Sequence, residues 1–107
     1  MKAKTLKALK DSIAHWRRMR DDQRCEEVPG ATGCALCALF LAKVNKCLGC
    51  PIYERTGQPS CRGTPYVDAR PFWLDRLWNG RTWDAWQRAA TKEIRFLESL
   101  IPKKGQP

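Results

Sequence analysis

Apolar positions recur with helical period near both ends of the chain, and a stretch rich in cysteine, glycine and proline lies between them. Leu6, Leu9, Ile13 and Trp16 follow one another at intervals of 3, 4 and 3, the spacing of a single apolar stripe. Lys4, Lys7, Asp11 and Arg18 fall on the other side. No glycine or proline interrupts the segment, so the pattern predicts a helix over 3–24. Arg20 falls on the stripe itself, with its stem over the core edge or paired with an acid. His15, the single histidine, projects well away from the stripe and reads as an exposed or edge residue rather than a metal ligand.

In the second half, Thr64-Pro65 has the form of an N-cap followed by proline at the first helical position. A helix over 65–79 is expected, with Pro71 starting or kinking its second part. Phe72, Trp73, Leu74, Leu77 and Trp78 make it apolar on most sides, which predicts the central, most buried helix, with Asn79-Gly80 ending it. Trp83, Trp86, Ala90, Ile94 and Leu97 form the stripe of a last helix over 82–101. The remaining residues, 102–107, should be a mobile tail.

The intervening segment carries the chemistry. Cys34-Ala-Leu-Cys37 and Cys47-Leu-Gly-Cys50 are two C-x-x-C pairs nine residues apart, and Cys61 follows ten residues later. Such pairs place two sulfurs within reach of one ion, and thiolate is a strong ligand for zinc or an iron–sulfur cluster. The expected quartet is Cys34, Cys37, Cys47 and Cys50, with Cys61 as the alternative ligand in place of Cys34. A helix starting at Cys34 is predicted to stop near Val44. Ten helical steps from Cys37 to Cys47 would separate their backbones by ~15 Å, too far for a shared ion. A tight hairpin is the alternative. Gly49 and Pro51 suit a turn at the second pair, and residues 54–63 read as a polar loop. Cys25 has no C-x-x-C partner and reads as a free or packed thiol.

The opening residues alternate charged with apolar positions and lack the apolar run of a secretory signal, and no run is long enough to span a membrane. This predicts a cytoplasmic protein, where stable disulfides are uncommon and clustered cysteines read as a metal site. Zinc is the expected metal, because the compact ferredoxin-type run of cysteines is missing; an iron–sulfur cluster is the alternative. Four thiolates close the coordination shell, so the metal is expected to be structural. No zinc-protease helix, phosphate-cradling glycine loop or nucleophile elbow is present, and a non-enzymatic protein with no small-molecule substrate is expected.

Charge indicates the partner class. Twenty Lys and Arg oppose eleven Asp and Glu, for a net charge of +9, a balance that favours polyanions. Arg81, Arg88, Lys92 and Arg95 lie opposite the last helix's apolar stripe with no acid on that narrow line, as if to track a phosphate backbone. The cations of the first helix, among them Lys10, Arg17 and Arg24, are spread around its circumference.

The strings Ser12-Ile-Ala-His-Trp16, Cys34-Ala-Leu-Cys37, Cys47-Leu-Gly-Cys50-Pro51, Thr56-Gly57 and Cys61-Arg-Gly-Thr-Pro-Tyr66 together resemble a group of small cysteine-rich proteins encoded by bacteriophages and prophages. The resemblance covers roughly residues 10–70. Ala35 stands where members of the group often carry proline. It implies a phage accessory protein in the bacterial cytoplasm, acting on a host process or a host defence such as CRISPR.

With 107 residues the chain has room for one domain and one modest core. The expected architecture is mainly α: about four helices stapled by a four-cysteine metal site in the loops over 34–61. The expected function is a basic binding module for nucleic acid or a nucleic-acid-handling complex. The alternatives are a protein-directed inhibitor of a host enzyme or defence system, and an iron–sulfur or redox protein.

Overall fold

The structure, a computed structural model, describes residues 2–25, 27, 29, 50–56 (the side chain of Tyr53 aside) and 64–102. These form four helices and no strand: α1 (Ala3–Asp21), α2 (Pro51–Thr56), α3 (Pro65–Leu74) and α4 (Gly80–Ser99). The mainly helical architecture agrees with the sequence pattern. The expected helix or hairpin at 34–46 and the tail beyond Pro102 lie outside the described residues, as do Cys34, Cys37, Cys47 and Cys61.

Helix α4 is the element against which the others pack. Its stripe of Trp86, Ala90, Ile94 and Leu97 is fully buried, and α1 and α3 both lie against it. Trp16 of α1 stacks on Trp86, with ring centroids 5.8 Å apart and 28° between planes. Tyr66 of α3 meets Trp16 edge-on at 6.1 Å. Offset and edge-to-face contacts suit the ring quadrupoles, so three aromatic residues join three helices. Large side chains buried to this degree contribute about 1.5–3 kcal/mol each.

The start of α4 is locally determined. Asn79 Oδ1 accepts from the Thr82 backbone N–H at 3.0 Å, and Thr82 Oγ1 accepts from the Asn79 N–H at 2.9 Å, a reciprocal capping box. Asn79 therefore opens α4; it does not end α3 as expected. Thr64 caps α3 by accepting from the Tyr66 N–H at 3.2 Å, with Pro65 at the first position, as the sequence predicts.

Three expectations are corrected. Helix α3 is not the most buried element: Ala69 is its one buried residue, and Leu74, Leu77 and Trp78 are 69%, 58% and 80% exposed. Its apolar residues surround the axis, and a short helix against one neighbour can cover only one side; Pro71 also lacks the N–H that would bond the carbonyl of Val67. The helix ends at Leu74, and residues 75–78 form a turn. Residues 51–56 form α2, which takes in the first three residues of the loop expected over 54–63, with Pro51 at its first position and Ile52 in the core.

The third correction concerns α1. Its buried face comprises Ala8, Leu9, Ser12, Ile13, His15, Trp16 and Met19, and Leu6 is only partly covered. The face is wider than the Leu6–Trp16 stripe and rotated toward Ser12 and His15. It is covered by α4 on one side and by the segment around Glu27 on the other. His15 is thus 4% exposed, contrary to the stripe-based expectation. Arg20 does lie at the core edge and pairs with an acid, Asp21, at 2.7 Å.

Candidate functional site

Two features stand out in the sequence, the basic line on the last helix and the cysteine cluster, and the described residues bear on them unequally. Arg81, Arg88, Lys92 and Arg95 are all exposed, on the side of α4 opposite its buried stripe. Fourteen residues at 1.5 Å each make a row of about 21 Å. Among the described residues none of the four pairs with a carboxylate.

The first helix differs. Lys7 pairs with Asp11 at 2.9 Å, Arg17 with Glu98 of α4 at 2.9 Å, and Arg18 with Glu27 through two hydrogen bonds of 2.6 and 2.7 Å. With Arg20 on Asp21, four cations of α1 are therefore paired within the fold, whereas the four of the α4 row have no carboxylate partner among the described residues.

Next to the row lies a groove of about 250 Å³ between α3 and α4. Phe72 and Asp68 line it from α3, and Ala85, Arg88, Ala89 and Lys92 from α4. Two small side chains, Ala85 and Ala89, leave the space, and the middle two cations of the row stand beside it. Phe72 is 44% exposed. Sequence periodicity places Phe72 in the core and gives no sign of this groove, because it depends on how α3 lies on α4.

A second cluster surrounds Glu27. Its carboxylate receives both Arg18 bonds, lies 2.9 Å from His15 Nδ1, and is 3.5 Å from Cys25 Sγ. The Arg18 guanidinium first, and then His15, hold the Glu27 carboxyl down at about 2. Burial chiefly pushes the Cys25 thiol up, against a hydrogen bond from the Glu27 backbone that favours the thiolate and with the Glu27 and Asp22 carboxylates adding to the rise, so it is a packed thiol rather than an activated one. Glu27 contacts residues nine and twelve positions away, beyond the reach of local pattern reading.

Of the expected metal ligands only Cys50 is described. It is 7% exposed, adjoins the core beside Ile52, and its carbonyl accepts from the Glu54 N–H at 3.0 Å. Among the described residues no group of three or more His, Cys, Asp or Glu side chains is arranged to hold a metal ion. No described helix is long and apolar enough to cross a membrane.

Comparison with protein-family models, with curated proteins and with solved structures finds no match.

Proposed function

We propose that this protein is a non-enzymatic, zinc-stapled binding module that engages nucleic acid, alone or within a nucleic-acid-handling complex, through the outer face of α4. The observation that carries the reading is the row of Arg81, Arg88, Lys92 and Arg95, exposed and without carboxylate partners among the described residues. Such a row gains affinity from counterion release without competing against internal ion pairs. Its length of about 21 Å equals the rise of about six nucleotides along one duplex strand. The resemblance to phage-encoded cysteine-rich proteins supports placing it in a bacterial host cytoplasm.

Zinc enters as the staple. Cys34, Cys37, Cys47 and Cys50 would hold it, with Cys61 as the alternative ligand, and the site is structural because four thiolates leave no position for water or substrate. What supports this is the pair of C-x-x-C motifs, together with the place of Cys50 at the core's edge. An iron–sulfur cluster on the same cysteines is the alternative cofactor.

The test is a salt titration of DNA and RNA binding. Affinity should be measurable at about 50 mM salt and fall steeply with added salt, and Gln at all four α4 positions should abolish it while leaving the fold intact. No detectable binding by the natural chain at that salt overturns the reading.

One observation favours a second reading, a protein-directed inhibitor of a host enzyme or defence system such as CRISPR. Leu74 at the end of α3 and Leu77 and Trp78 in the turn after it are all exposed, and large exposed apolar side chains near one another in the chain are what a protein interaction site would use. Here a purified host complex should bind after nuclease treatment, and Trp78→Ser should weaken it.

A further inference from the structure

The groove between α3 and α4 gives the basic row a more specific ligand. We propose that it seats an unpaired nucleobase of a single-stranded nucleic acid, with Phe72 as the stacking face and Arg88 and Lys92 holding the adjoining phosphates. The inference rests on the reading of the α4 row as a nucleic-acid surface and names the form of nucleic acid that surface takes.

Size comes first. The groove has a volume of about 250 Å³. This falls below the ~300–1,000 Å³ of pockets that enclose a whole drug-sized ligand. One flat ring system fits; a cofactor or a folded peptide segment does not.

Charge then orients the occupant. Asp68 lines the same groove as Arg88 and Lys92. A phosphate drawn inside would meet that carboxylate, so the phosphates stay with the two cations, which are one helical turn apart on the exposed face. The uncharged ring takes the interior. There Asp68 is an acceptor for the amino groups that cytosine, adenine and guanine carry and that thymine and uracil lack.

The aromatic residue selects strandedness. Phe72 is 44% exposed while the aromatic residues Trp16 and Trp86 are buried. A half-exposed ring beside two cations is the combination by which single strands are held, because a base offers its face only when it is out of the helix. In a duplex that face is already stacked. The floor of Ala85 and Ala89 lets the base approach α4 closely.

The test compares a short labelled single strand with the duplex of the same sequence at about 50 mM salt, using fluorescence anisotropy and the full chain. Tighter binding of the single strand is expected. Phe72→Leu, which keeps an apolar side chain, should lower single-strand affinity about tenfold and leave duplex affinity unchanged. Ala85→Leu, which fills the groove from the opposite wall, should do the same, and it serves if the Phe72 variant melts. Asp68→Asn should narrow the preference for oligo-dC over oligo-dT. Equal binding of both forms with neutral Phe72 and Ala85 variants overturns the groove while the basic row stands. Absence of binding to either form overturns the underlying reading as well.

Discussion

The indole N–H of Trp86 donates to the backbone carbonyl of Met19 at 2.9 Å, joining the middle of α4 to the last turn of α1. The last carbonyls of a helix have no partner inside it, and here α4 supplies them: Gln87 Nε2 bonds the Arg20 carbonyl at 3.1 Å. Trp86 is fully buried and Met19 is 1% exposed, so the bond lies out of water in the folded chain. Trp86→Phe should therefore cost about 2 kcal/mol, more than its loss of area alone, because a buried acceptor is left unsatisfied. Denaturant unfolding measures this as a lower midpoint at unchanged slope; a loss under about 0.5 kcal/mol would contradict it.

Glu27 predicts a response to acid. Its carboxyl is lowered from 4.5 to about 2, first by Arg18 and then by His15. A group depressed in the folded state stabilises above its unfolded value, and that stability is lost as pH falls from about 4.5 toward 2. The side chain is 36% exposed, so solvent screening limits the effect to about 1 kcal/mol or less. Glu27→Gln should flatten the stability profile over that window, read by thermal melts at stepped pH. An unaltered acid limb would show that other carboxylates set it.

The metal staple is tested on Cys47. Cys50 adjoins the core, so replacing it removes packing whether or not a metal is bound. Cys47→Ala and chelator should lower the melting temperature by similar amounts, and chelator should have no further effect on the variant, because structural ligation is folding free energy. Metal analysis should return one zinc per chain. Brown protein would instead indicate an iron–sulfur cluster, and a melt indifferent to both treatments would remove the staple.

Trp78 should matter little to stability. At 80% exposure it has few contacts to lose, and Trp78→Ser should change stability by less than about 0.5 kcal/mol. Its removal should shift the tryptophan emission to the blue, because the remaining tryptophans are better covered. A drop in melting temperature would mean that the turn after α3 is held by its indole.

How much of the fold is legible in the sequence depends on pattern strength. Helices α1 and α4 are readable because Leu9, Ile13, Trp16, Trp86, Ala90, Ile94 and Leu97 repeat with helical period, and the Thr64-Pro65 cap is readable because it is local. The orientation of α3 is not: apolar residues on every side give its helix no preferred face. His15 is misplaced by the pattern for a different reason. A polar residue carries no apolar signal, and its burial depends on Glu27, which no period relates to it. The α4 row is legible as an apolar-free line of cations. The neighbouring groove is not, since it exists only where two helices meet.

The pairing of α1 with α4 also sets a schedule for the chain as it is made. Met19 and its partner Trp86 are 67 residues apart. At about 5–20 residues per second, α1 leaves the ribosome roughly 3 to 13 seconds before the helix that covers it. During that interval Leu9, Ile13, Trp16 and Met19 present an uncovered face. Helices α3 and α4 are adjacent in the chain and can pair with little delay, so they are expected to dock first, with α1 closing the molecule last. A nascent chain arrested before Gly80 should accordingly bind holding chaperones through its first twenty residues, and release should coincide with the emergence of Trp86.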